Sequence, residues 1–142
     1  MASIKKNSDV IVSADKNSID PADAAALYVE LGWGTGKKYS AARMKRSIAS
    51  CDIAVSARNG AGELVGFARV LSDFATTTKI LDMLIVPEYQ RQGIGTRMMQ
   101  KIESLVAGTD IFGETERKNF GFLERCGYEK RKGLMVFVKK SK

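Results

Sequence analysis

The sequence predicts an α/β domain of the α+β kind, with one mixed, mostly antiparallel sheet and helices on both of its faces. Three observations carry this. Two strand-like runs, 53–58 and 64–71, are joined by Asn59-Gly60-Ala61-Gly62, which is hairpin material because Asn and Gly tolerate positive φ. A strand–helix–strand pattern follows from Thr77 to Glu114, and such a crossover is right-handed with its two strands parallel. Apolar residues recur at helical spacing before and within these runs. The 142 residues suit one domain, 1–142, without linker, repeat or low-complexity stretch.

Val10–Val12 is a short strand candidate. Asp20 can cap a helix, Pro21 suits its first position, and Asp23 favours its positive end. Ala24, Leu27, Tyr28 and Leu31 then form an apolar stripe that Gly32 terminates. After a glycine-rich loop, Gly32 to Gly36, a second helix runs from Ser40 to about Ala49 with Met44 and Ile48 inward. Strands follow at Ile53–Arg58, Leu64–Leu71 and Thr77–Val86, the last stopped by Pro87. Gly93 to about Val106 is a helix with Ile94, Met98, Ile102 and Leu105 on one face. Asp110–Glu114 is a strand, Lys118–Arg125 a short helix before Gly127, and Leu134–Val138 a final strand.

Composition narrows the chemistry. Apolar residues make up 44% and charged residues 27%, ordinary values for a globular domain, and no apolar run approaches the roughly 18 residues of a membrane span. No membrane partner is expected. The first sixteen residues lack a continuous apolar stretch, which predicts no secretory leader and a cytoplasmic location. The absence of histidine excludes Ser-His-Asp and Cys-His nucleophiles and His-ligated metals, and two distant cysteines, Cys51 and Cys126, cannot build a thiolate cluster. No metal is expected. The net charge is +7, and Lys118 to Lys142 alone holds eight Lys or Arg against two acids. Such an excess favours a polyanionic ligand: a nucleotide cofactor, nucleic acid or an anionic surface.

The informative stretch runs from Leu81 to Thr96. A buried strand ends, a loop carries Gln90, Arg91 and Gln92, and Gly93 and Gly95 open a helix. The first N–H groups of a helix have no internal partner and lie at its positive end. Glycines without Cβ let a phosphate oxygen approach that backbone. Other phosphate motifs fit worse. Gly36-Lys37 lacks the glycine five residues upstream and the Ser/Thr that a P-loop needs, and Met98 stands where a dinucleotide loop has its third glycine.

Gln90-x-x-Gly93-x-Gly95, after a strand ending Val86-Pro87-Glu88-Tyr89, resembles the [QR]-x-x-G-x-[GA] acetyl-CoA loop of the GNAT superfamily of N-acetyltransferases. Phe122-Leu123-Glu124-Arg125-Cys126-Gly127-Tyr128 is similar to that family's F-Y-E-K-x-G-F segment, and Leu64-Val65-Gly66-Phe67-Ala68-Arg69-Val70 to its VGF strand. The resemblance covers the chain beyond about Asp20. It implies a sheet splayed between the fourth and fifth strands. It implies acetyl-CoA as cosubstrate, its pantetheine arm pairing with the backbone of Leu84, Ile85 and Val86, one N–H of Leu84 or Ile85 stabilising the oxyanion, and its pyrophosphate held by Gln90, Arg91, Gln92, Gly93, Ile94, Gly95 and Thr96. The acceptor is then a primary amine of a small molecule or protein, acetylated directly in a ternary complex, and homodimers are common in the family.

The family's usual general acid is the Tyr of F-Y-E-K, and Leu123 occupies that position. The alternatives are protonation by water, a hydroxyl from Tyr128 or Tyr89, or weak catalysis. For the general base Asp82 is the first candidate, in the cofactor strand, followed by Asp73 and Glu114. Asp73 and Glu114 can also make an acceptor pocket acidic, and Trp33 can line it. The rival expectations are a CoA-binding sensor without turnover and a basic nucleic-acid-binding protein. Against the second, Phe120, Phe122 and Phe137 sit where a core would take them, so no nucleic-acid partner is expected.

Overall fold

A computed structural model describes residues 9–34 and 36–141. Part of the N-terminal segment read for a leader, and Thr35 in the glycine-rich loop, lie outside that range. The strands are β1 (Ile11–Ser13), β2 (Ile53–Arg58), β3 (Leu64–Ser72), β4 (Thr77–Ile85) and β5 (Asp110–Gly113). The helices are α1 (Pro21–Glu30), α2 (Ala41–Ser50), α3 (Ile94–Leu105) and α4 (Phe120–Arg125). They form one sheet in sequence order, antiparallel through β4 and parallel between β4 and β5.

Local chemistry explains the helix ends. The Asp20 carboxylate accepts from Ala22 N–H at 2.9 Å and Pro21 follows it. The Ser40 hydroxyl accepts from Arg43 N–H at 3.3 Å. Gly127, at φ +92°, closes α4: its N–H donates to Glu124 C=O and that of Tyr128 to Leu123 C=O, both at 3.0 Å, the paired bonds of a left-handed helix terminus.

The core has two layers of contact. Tyr28, Leu27, Met44 and Ile48 from α1 and α2 cover one sheet face, where Tyr28 meets Phe67. Ile94, Met98, Met99 and Ile102 of α3 are buried with them in one cluster, on the opposite face. Gly66 makes that second approach close, since a Cβ there would stand 3.0 Å from Ala57 Cβ and 3.1 Å from Met98 Sδ.

Two features position the site. In β4 the register against β3 skips one residue: Arg69 faces Asp82 and Val70 faces Ile80, a bulge at Leu81. The β4–β5 pairing runs only from Thr77↔Asp110 to Ile80↔Gly113, so Leu81–Ile85 have no partner on that side. The sheet is splayed there, as the resemblance implied.

The expected final strand does not form. Leu134–Val138 carries no strand pairing, and its five side chains are 65–94% exposed. A strand is defined by its hydrogen-bonded neighbour, and among the described residues no strand pairs with this segment. Phe137, expected in the core, is the most exposed of the five, whereas Phe120 and Phe122 are half-buried.

Candidate active site

The splay leaves one strand edge open, and the register says which groups face it. Val86 N–H donates to Val65 C=O at 2.9 Å, so Val86 and Val65 are a hydrogen-bonded pair. Bonded pairs recur every second residue in an antiparallel ladder, which makes Leu84–Phe67 the next. The backbone groups of Leu84 and the Val86 N–H therefore face β3, while the Val86 carbonyl accepts from Tyr89 N–H at 2.9 Å. The backbone groups of Ile85 and Met83 point into the splay. Of the three residues expected to pair with the pantetheine arm, only Ile85 is so placed, and Met83 joins it. The strand alternation could have found Met83; the register against β3 was needed to choose the parity. The Ile85 carbonyl accepts from Gln90 Nε2 at 2.8 Å, so the Gln90 side chain satisfies the edge where an incoming amide would bind.

Beyond Ile85 the chain makes one 3₁₀ turn, Pro87–Tyr89, and then the loop. Tyr89 is buried, and Asn59 Nδ2 donates to its hydroxyl at 3.2 Å, pinning the loop to the β2–β3 turn. Arg91 at φ +62° and Gly93 at φ +81° bend the backbone through left-handed conformations. Gly93 is the N-cap of α3 and no side chain caps that end. Gln92 Nε2 donates to Glu88 C=O at 2.9 Å, which holds the bend, while Arg91 and Thr96 are exposed beside it. An uncapped helix start under a bent loop suits an anion.

Gly95 does something other than open the backbone to phosphate. It is buried, and a Cβ there would meet Phe122 Cζ at 3.0 Å and Ile85 Cδ1 at 3.2 Å. Its missing side chain admits α4 and the end of β4. Ile94 is likewise buried, so its side chain belongs to the core and only its N–H belongs to the loop.

Asp82 is not a free base. Arg69 donates to both its oxygens through Nε, at 3.2 and 3.1 Å, and again through Nη2. The Tyr28 hydroxyl donates to Oδ2 at 2.7 Å, and Arg69 Nη1 to Ser47 Oγ at 2.7 Å. The Asp82 side chain is 1% exposed. Burial, then the Asp82 charge, pushes the Tyr28 phenol far above its ordinary value. Burial opposes the Arg69 charge, but the Asp82 bonds outweigh it and hold the guanidinium protonated. The group ties α1, α2, β3 and β4 together just before the reactive strand edge. Tyr39 stacks on Tyr28 with ring centroids 4.0 Å apart, and Trp33 meets Tyr28 edge-on at 6.1 Å. Trp33 is thus a half-exposed aromatic beside this network.

Asp73 is also engaged. Its carboxylate accepts from the N–H groups of Ala75, Thr76 and Thr77 at 2.7–2.9 Å and from Thr76 Oγ1 at 2.6 Å. These bonds, that of the Thr76 hydroxyl foremost, hold its carboxyl well below the usual range. It builds the β3–β4 turn, roughly 26 Å along β4 from Ile85. Glu114 sits where β4 and β5 part, half-exposed, and accepts from Lys79 Nζ at 2.6 Å.

The Tyr89 hydroxyl accepts from Asn59 Nδ2 and keeps its own proton. Tyr128 is buried at its oxygen without a hydrogen-bond partner among the described residues; burial, then the Glu103 charge, push its phenol up to about 12. Glu103 lies in the last turn of α3, far from the loop at its start. Removing an unpaired buried hydroxyl should help: Tyr128→Phe is expected to gain on the order of 1 kcal/mol at neutral pH. The folded phenol titrates above the unfolded one, near 10. Ionisation of the unfolded Tyr128 therefore lowers wild-type stability as pH rises from about 10 to about 12, and in urea melts the variant should fall less steeply across that window, the share of Tyr28 remaining in both.

Comparisons with known proteins bear on the family and the fold. Residues 49–130, more than half of the chain, match the family model described as acetyltransferase (GNAT) domain. GCN5-related N-acetyltransferase 3, chloroplastic, of Arabidopsis thaliana is 37% identical over 87 residues, covering 55% of this chain and 35% of that protein. The chain spans between about a third and a half of the length of the curated relatives it matches. Among solved structures, a GNAT-family acetyltransferase from Streptococcus pneumoniae TIGR4 superposes with a TM-score of 0.77 at 22% identity, covering 93% of this chain and 99% of that one. An aminoglycoside 6'-N-acetyltransferase complexed with coenzyme A gives 0.61 at 21% identity, over 80% and 73% of the two chains. At these identities the structures show a shared fold.

Proposed function

The chain belongs to the GNAT family of acetyltransferases, and on that premise we propose that it transfers the acetyl group of acetyl-CoA directly to a primary amine. The observation that supports this best is the open edge of β4 at Met83 and Ile85, running into the uncapped start of α3. The pantetheine arm adds to that edge as a strand would, displacing Gln90 Nε2 from the Ile85 carbonyl. The pyrophosphate sits on the N–H groups that open α3, with Arg91 and Thr96 beside it. An N–H of Met83 or Ile85 faces the thioester oxygen and stabilises its developing charge, an effect often worth about 3 kcal/mol.

The amine must lose a proton before it attacks. Of the three carboxylates considered, Asp82 and Asp73 are committed to internal hydrogen bonds, while Glu114 stands at the mouth of the splay. Glu114 is the base in this reading, directly or through one water. The leaving thiolate takes its proton from water, since Leu123 has none to give and a thiol of pKa near 8.5 leaves readily. Glu114→Gln is expected to lower kcat/KM by about 100-fold or more and to remove the acidic limb of the pH–rate profile. An unchanged limb would take the role from Glu114.

The segment between α1 and α2 carries Tyr39, with Arg69 and Lys38 over its ring, and Trp33, edge-on to Tyr28. That aromatic and cationic wall suits an acceptor with one amine on an apolar or anionic body better than a polycation.

Acetyl-CoA at about 100 times its dissociation constant is expected to stabilise the fold by roughly 2.7 kcal/mol. In a thermal melt that is a rise on the order of 5–15 °C. ATP or NAD should give none. No rise with acetyl-CoA would reject the site; a rise without turnover against an amine panel would favour a CoA-binding sensor.

A further inference from the structure

We propose that the acceptor is an α-amino acid with an apolar side chain, its carboxylate held by Lys79, its amine by Glu114 and its side chain by Leu71 and Phe112. This deepens the acetyl-transfer reading and rests on it.

Strand register brings these residues together. Leu71 of β3 is the partner of Lys79 in β4, and Lys79 is the partner of Phe112 in β5. Partners on adjacent strands point to the same face of a sheet. Arg69 lies two residues before Leu71 in β3 and shares that face. Its bond to Ser47 Oγ on α2 identifies the face as that of α1 and α2. The opposite face is covered at this level, since Thr78, next to Lys79, is fully buried. The row itself is not covered. Leu71 and Phe112 are 42% and 41% exposed, one on each side of Lys79. With strands about 4.8 Å apart, the two apolar side chains span roughly 10 Å of sheet.

Charge decides what can lie there. Lys79 Nζ stands 2.6 Å from Glu114 Oε1, and both side chains are about half-exposed. Glu114 directly follows β5, where the β4–β5 pairing stops, so the pair sits at the point of the splay. An exposed ion pair is held weakly, and a ligand carrying both charges can exchange with it. The charges of that ligand must lie as close together as those of the pair. An α-amino acid meets this condition, because its amine and carboxylate share one carbon. A polyamine sets a second cation against Lys79. A peptide N-terminus brings an amine without a neighbouring carboxylate. Leu71 and Phe112 then favour an apolar side chain, whose surface they remove from water.

In the reaction Glu114 takes one proton from the ammonium. The nitrogen bonds to the acetyl carbon as the C–S bond breaks and its electron pair leaves on sulfur. The nitrogen gives a second proton to water and the thiolate takes one from water, leaving the N-acetyl amino acid and coenzyme A. Lys79 takes no part in these transfers; it selects which amine is presented.

Three acceptors with the same ring and the same amine test this: L-phenylalanine, L-phenylalanine amide and 2-phenylethylamine. Wild type should turn over phenylalanine with a kcat/KM at least about 10-fold above either of the others, the worth of one charge-assisted hydrogen bond. Lys79→Met should abolish that preference. The ratio is the readout, because it cancels any effect of the lost lysine on Glu114. Titration calorimetry on protein saturated with CoA should rank the three in the same order without turnover. Phe112→Ala should narrow the preference for phenylalanine over glycine. Equal turnover of the three by wild type, or a preference that survives Lys79→Met, would overturn the acceptor class and leave acetyl transfer standing. So would turnover of spermidine above that of phenylalanine. Failure to acetylate any amine would reject the acetyl-transfer reading itself, and the acceptor class with it.

Discussion

Replacing Asp82 by Ala is expected to lower the melting temperature by roughly 10–15 °C, the largest loss from any single polar substitution in this chain. The removed carboxylate holds two N–H groups of Arg69, Nε and Nη2, and the Tyr28 hydroxyl in a buried site. Without it the guanidinium is left buried and unpaired, which typically costs about 3–5 kcal/mol. For a domain near this length each kcal/mol shifts the melt by about 3–4 °C. The double variant Arg69→Met/Asp82→Leu should recover most of the loss, because replacing both members of a buried pair with apolar groups is often neutral. A double variant as unstable as the single would mean that the pair has net stabilising value. A folded Asp82→Ala enzyme that melts like wild type would mean that Arg69 reaches solvent, contrary to the geometry.

Gly95→Trp is expected to weaken acetyl-CoA binding by at least 100-fold, read by titration calorimetry. The loss has a steric cause within the protein. A side chain at 95 points at Phe122 and at the end of Ile85, where even a Cβ is tight. It should drive α4 away from α3 and bend the strand edge proposed to receive the pantetheine arm. This origin separates Gly95 from Gly93. Gly95→Ala should bind more weakly than wild type, and Phe122→Leu added to it should restore binding by making room. Gly93→Val should bind weakly whatever stands at 122, because its obstacle is a backbone at φ +81° that branched side chains avoid. If Phe122→Leu fails to rescue Gly95→Ala while the fold is intact, Gly95 faces the phosphate after all.

How far the sequence reaches can be judged from particular residues. Helix α1 was legible because its signals are local: Asp20 caps it, Pro21 starts it, and Gly32 follows it at φ +76°. The strands and the loop at 90–96 were legible for the same reason, since turn residues and glycines act on their own backbone. What failed depended on partners distant in the chain. Asp82 is a candidate base from its neighbourhood alone, since Arg69, thirteen residues earlier, and Tyr28, fifty-four earlier, reach it only in the fold. The packing of the Phe122 ring on Gly95 is likewise absent from the local sequence. Which of Leu84 and Ile85 faces the open edge depends on parity, and parity in a strand is set by the neighbouring strand.

The sequence alone therefore determined the fold class, the order of its elements through α4, and the glycine-bearing loop that opens α3. Each follows from the periodicity or backbone freedom of adjacent residues. The tertiary structure decided which carboxylates are buried and which are exposed, which backbone amides face the cleft, and that Leu134–Val138 pairs with no strand among the described residues. Those are properties of pairs, and pairing energies exist only once the chain has brought the two members together.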